Sequence, residues 1–147
     1  MGIRRKSREL AFKVIYALEY TVTDDLLGNL KWLEEYPNKL QEVLEEFEKK
    51  QDDRIIEFAD FLIKNTIVDL EEIDTMIDNH SQNWSIERMA VTDKSLLRIA
   101  VLEILRTETP AAIVMDEAIE ISKRYCSESS SKFINGILNS IAETTKD

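Results

Sequence analysis

Only three glycines and two prolines interrupt 147 residues. A chain so poor in breakers lacks the turn residues that a many-stranded β fold demands, so helices are its accessible solution. The apolar residues agree. Leu10, Ala11, Val14, Ile15 and Leu18 recur at three- and four-residue spacing, which predicts an amphipathic helix from Arg4 to about Tyr20.

The same period continues along the chain. Pro37 is read as an interruption between helices near 25–35 and 38–50, and the charged run "EKKQDDR" at 48–54 as the linker between two helical subdomains, about 1–50 and 54–147, of a single domain spanning 1–147. Ile55, Ile56, Ala59, Leu62 and Ile63 open the next stripe, followed by Ile67, Leu70, Ile73 and Ile77. "NHSQNWS" at 79–85 reads as a turn. Asp93 stands where an N-cap belongs, ahead of Leu96, Leu97, Ala100, Val101, Ile104 and Leu105. In "TETP", Thr109 can cap and Pro110 can take the first helical position, opening a helix to about Cys126. "SESSS" offers capping hydroxyls to a final helix carrying Phe133, Ile134, Ile137, Leu138 and Ile141, in which Gly136 is read as permitting close helix packing. The expectation is an all-α fold of about seven helices in two packed subdomains.

Bulk properties narrow the function. A hydrophobic fraction of 44% and a charged fraction of 33% suit a soluble globular protein, and no apolar stretch reaches the roughly 18 residues of a membrane span. The lone Cys126 can form no internal disulfide, which fits a reducing, cytoplasmic setting. Catalytic patterns are missing. His80, the one histidine, has no partner thiol and is read as a solvated turn residue; Gly2, Gly28 and Gly136 are too scattered for a phosphate-cradling loop. Glu42, Glu45, Glu46 and Glu48 lack the companions of a metal site and read as a solvated face. No enzyme activity, cofactor or metal is expected.

Charge supplies the positive signal. The net charge is -10, yet Arg4, Arg5, Lys6, Arg8 and Lys13 against Glu9 make residues 1–16 carry +4, leaving -14 on the rest. Within a Debye length of about 8 Å the local potential governs a contact, so a basic end on an acidic body favours selective contact with nucleic acid. At 100° per residue, Arg5, Arg8, Phe12 and Tyr16 fall opposite the apolar face. As a solvent-facing stripe they would offer cations to phosphates and ring faces to unstacked bases of single-stranded RNA. Alternatively, the aromatics pack on a neighbouring helix. Lys123, Arg124 and Lys132 against Glu128 make 121–136 locally +2, and Lys132 sits at the start of the final helix, where amides favour anions.

Three stretches together, "RRKSRELAFKVIYALEY", "LLRIAVLEIL" and "DEAIEISKRYCSESSSKFINGIL", resemble the bacterial NusB family of transcription antitermination factors, with "NWSIERM" before the middle motif and "TP" between the last two. The resemblance covers nearly the whole chain and is weakest from about 24 to 55. It implies an all-helical fold of two small bundles and no catalysis. It also implies binding to boxA RNA, with the ribosomal protein NusE as partner, inside complexes that make RNA polymerase resist termination and support ribosomal RNA transcription.

Carried over by matching motifs, the RNA-binding residues are Arg4, Arg5, Lys6, Arg8, Tyr16, Lys132 and Phe133, and the NusE-facing residue is Asp93. His80 matches a looser RNA-contact position. Two departures stand out: Ser129 where an aspartate is common, which lessens phosphate repulsion, and Cys126 where a glycine is common, which puts the turn before the last helix in question. The alternative reading is a helical protein-interaction module without RNA binding, such as a homodimer masking the Phe12 and Tyr16 stripe.

Overall fold

Seven α-helices account for the secondary structure, with one 3₁₀ turn and no strand among the described residues, which in this computed structural model are 2–21, 28–82 and 84–145. They fall into two units, Met1–Val68 and Asp69–Asp147.

The first unit holds α1 (Ile3–Leu18), α2 (Gly28–Glu45) and α3 (Asp53–Val68), each packed on the other two. The stripe on α1 is buried as its spacing predicts, from Leu10 to Leu18, and on α3 Ile55, Ala59, Leu62, Ile63 and Ile67 are buried as well. Each fully buried Leu or Ile stabilises by about 1.5–3 kcal/mol relative to exposure. The contact division therefore falls at Val68/Asp69 and not near 50–54. The charged run at 48–54 lies inside the first unit, a loop through 52 and then the first two residues of α3, because the α3 stripe needs α1 as its partner.

Pro37 does not split α2. Trp32, Leu40 and Val43 are buried in one helical register across it, and Pro37 itself is exposed, so packing of the apolar face carries the helix past a missing N–H. The expected start of this helix near residue 25 lies outside the described residues.

The second unit holds α4 (Leu70–His80), a 3₁₀ turn (Ile86–Arg88), α5 (Val91–Arg106), α6 (Ala111–Tyr125) and α7 (Ser130–Thr145). Every residue of α5 from Asp93 to Glu103 is buried. On a helix covered on all sides an unpaired charge is costly. Arg98 is paired by donating from Nε and Nη2 to the two carboxylate oxygens of Asp74, both at 2.8 Å. At the exposed end of α5, Arg106 reaches Asp69 at 2.9 Å and Glu72 at 2.6 Å, which ties α5 to the start of α4.

Several local expectations shift by a residue or more. Asp93 is not an N-cap: Ala90 takes that place and Asp93 lies in the first turn, where its charge still suits the positive helix end. Pro110 is the N-cap of α6, with ψ of 137°, and Ala111 is the first helical residue. His80 is the last residue of α4, half-buried, with Nδ1 2.7 Å from Ser140 Oγ, and is no solvated turn residue. Gly136 faces open space, for a Cβ there meets nothing within 4 Å, so close packing is not what it serves.

Candidate nucleic-acid interface

The first turn of α1 defies local electrostatics. Helix N-termini carry partial positive charge and favour acids, yet this turn has no acidic residue and holds Arg4 and Arg5, with Lys6 just beyond. Each such cation forgoes the roughly 0.3–1 kcal/mol an acid would gain there. Gly2 caps the helix with its backbone alone, accepting from the Lys6 amide at 3.1 Å. Ser7, fully buried, anchors the segment to α3: its hydroxyl lies 3.0 Å from Ile3 O and 2.9 Å from Ile55 O, sharing one proton between the two carbonyls. Arg4 and Lys6 are exposed and Arg5 is half-buried. The turn thus concentrates cations at a helix end that is already positive.

The expected solvent-facing stripe of Arg5, Arg8, Phe12 and Tyr16 does not exist as such. Arg8 is only 6% exposed and Phe12 3%. A wheel projection assumes one covered face, whereas α1 packs against both α2 and α3. The Arg8 guanidinium carbon lies 5.9 Å from the Phe58 ring centre. Tyr16 is half-buried, and beside it stands a residue that the sequence reading missed: Tyr20, 64% exposed, sits one turn on, edge to face with Tyr16 at 5.3 Å. The Tyr20 hydroxyl donates to Tyr16 at 3.3 Å, which raises its pKa. The i, i+4, i+8 spacing of Phe12, Tyr16 and Tyr20 was the available signal. α1 exposes its cationic first turn, and just past its far end Tyr20 stands exposed beside the half-buried Tyr16.

In the second unit, the start of α7 repeats the device: no acid in its first turn, and an exposed Lys132. Phe133 is half-buried and lines a pocket of about 300 Å³ with Trp84, Arg88, Asp93 and Ser129. Trp84, 53% exposed, and the exposed Arg88 are further additions, and only their place in "NWSIERM" marked them. Asp93 is buried, yet its Oδ1 has no hydrogen-bond partner. Burial, then the charge and hydrogen bond of Asp93, push the Cys126 thiol up to about 12, so it stays a neutral donor and not a nucleophile. Cys126 itself is the C-cap of α6 with φ of -111° and ψ of 173°, extended backbone that any residue adopts, so this turn requires no glycine. Hydroxyls of the serine run meet one another and Ser122: Ser127 to Ser130 at 2.9 Å and to Ser129 at 3.2 Å, and Ser122 to Ser131 at 2.6 Å.

Among the described residues no cluster of three or more His, Cys, Asp or Glu could hold a metal, and no helix is long and apolar enough to cross a membrane. The cationic turns, the exposed rings and a serine-lined pocket are thus carried on an all-helical fold among the described residues.

The comparisons make the class specific. The NusB family model matches residues 5–143. A transcription antitermination protein NusB from Syntrophotalea carbinolica is 37% identical over 99% of this chain and 95% of its own length. The solved structure of NusB from T. maritima superposes with a TM-score of 0.78 at 33% identity, covering 95% of this chain and 90% of that one. A crystal structure of the antitermination factors NusB and NusE in complex with dsRNA gives 0.79 at 28% identity, with 98% of both chains covered. The chain belongs to the NusB family of transcription antitermination proteins.

Proposed function

We propose that this chain binds boxA RNA together with NusE in a complex that renders RNA polymerase resistant to termination and supports ribosomal RNA transcription, in the cytoplasm and without catalysis. The observation that carries the reading is the placement of Arg4, Arg5, Lys6 and Lys132 at the N-terminal ends of α1 and α7, with no acid in either first turn. Cations there gain nothing from the helix and much from a phosphate. A NusB relative has been crystallised with NusE and RNA, which fits this reading.

The residues divide by role. Arg4, Arg5, Lys6 and Lys132 meet phosphates. Arg8, buried beneath Phe58, adds to the local potential more than it touches RNA. Tyr16, with Tyr20, and Phe133 offer ring faces to unstacked bases. Asp93, with an open acceptor on a pocket edged by Arg88, takes a hydrogen-bond donor from NusE. Ser129 leaves that edge without a second carboxylate.

Salt titration tests the assignment. For a single strand each phosphate contact contributes roughly 0.7 to the slope of log K against log salt. Lys132→Ala is expected to weaken boxA binding and to flatten the slope by about that amount. An unchanged slope removes Lys132 from the interface.

A further inference from the structure

A second groove in the first unit, about 500 Å³, is lined by Ile3, Arg4, Arg54, Glu57, Phe58 and Phe61. The Arg4 guanidinium carbon stands 3.7 Å above the centre of the Phe58 ring, in van der Waals contact. Phe58 and Phe61, three residues apart on α3, are stacked with ring planes 9° apart and centres 6.1 Å apart. Phe61 is 37% exposed, unusual for a phenylalanine with a core available three helices wide. Arg54 is clamped by Asp52 through Nε at 3.1 Å and Nη2 at 2.8 Å, so its planar group is held and half-neutralised at the rim.

We propose that this groove receives one unstacked nucleobase of the RNA, lying on Phe61 and the outer face of the Arg4 guanidinium. The inference rests on the RNA-binding reading above and adds a base site to it. Three observations favour a base over a phosphate or a peptide side chain. The near-parallel rings and the stacked guanidinium form one layered surface, and planar bases stack on both group types. Glu57 at the groove repels a phosphate but accepts from the ring N–H or amino group of a base. Arg4 belongs both to this groove and to the cationic turn of α1, so a strand whose phosphates lie on that turn has a base within reach of Phe61.

The test uses the 147-residue chain and boxA RNA carrying 2-aminopurine at successive positions, read by anisotropy and by fluorescence. One position is expected to be quenched on binding, Phe61→Ala to weaken affinity about tenfold and abolish that quench, and Phe61→Trp to retain both. The salt slope should be untouched by Phe61→Ala, since no charge is removed. If wild type binds the RNA and both Phe61 variants match it in affinity and quenching, the groove takes no base. If wild type does not bind boxA at all, the functional reading falls and the base site falls with it.

Discussion

Reversing the charge of Arg4 separates what the N-terminal turn does for the fold from what it does for RNA. In Arg4→Glu an acid replaces a cation in the first turn of α1. Removing an unfavourable 0.3–1 kcal/mol and adding a favourable one of like size gains about 0.6–2 kcal/mol. The lost stack on Phe58, an exposed cation–π contact, costs about 0.5–1 kcal/mol. The net lies between a loss of about 0.4 and a gain of about 1.5 kcal/mol, so the variant should be as stable as wild type or more so. RNA binding moves the other way. Losing one phosphate contact and adding one repulsion flattens the salt slope by about 1.4, so the affinity defect should shrink roughly sevenfold between 50 and 200 mM salt. Urea unfolding followed by circular dichroism gives the first quantity and anisotropy at the two salts gives the second. A stability loss beyond about 2 kcal/mol would make Arg4 a structural residue. Wild-type affinity and slope would remove the turn from the RNA interface.

Two further substitutions probe the second unit. Gly136→Ala places a methyl group in open space inside α7 and should raise stability by about 0.5–1 kcal/mol, a shift of roughly 2–4 °C in melting temperature per kcal/mol; a destabilised variant would mean that this helix face is not free. With its thiol pushed up to about 12, Cys126 should react with iodoacetamide at pH 8 on the order of a thousandfold more slowly than an ordinary thiol, and Asp93→Asn should speed it by removing the raising charge. Because the folded pKa lies above the unfolded one, the stability Cys126 contributes is complete below about pH 9 and disappears as pH climbs to about 12. An ordinary alkylation rate at pH 8 would contradict the burial and the Asp93 contact.

Much of the fold was legible because apolar periodicity is a local property. The stripes from Leu10 to Leu18, Ile55 to Ile67 and Ile134 to Ile141 are buried as spaced, except that Ile56 is half-buried. Where the reading missed, a tertiary partner decided. Pro37 breaks a lone helix, but a packed face from Trp32 to Val43 holds one together across it. The charged run before Asp53 looked like a subdomain boundary, yet α3 joins α1. At the candidate interface, Arg4, Lys6 and Lys132 were readable as cations and are exposed. The stripe through Arg8 and Phe12 was not, because one wheel cannot show that α1 has two helical neighbours. Tyr20, Trp84 and Phe61 were missed for the related reason that exposure of a single aromatic is set by what fails to cover it.

The most direct measurement is a boxA titration of this protein at about 0.15 M salt, with and without NusE, against an RNA of the same length and shuffled sequence. Affinity for boxA that exceeds the shuffled control and tightens when NusE is present is the predicted result. Equal binding of both RNAs, or a boxA affinity indifferent to NusE, would contradict it.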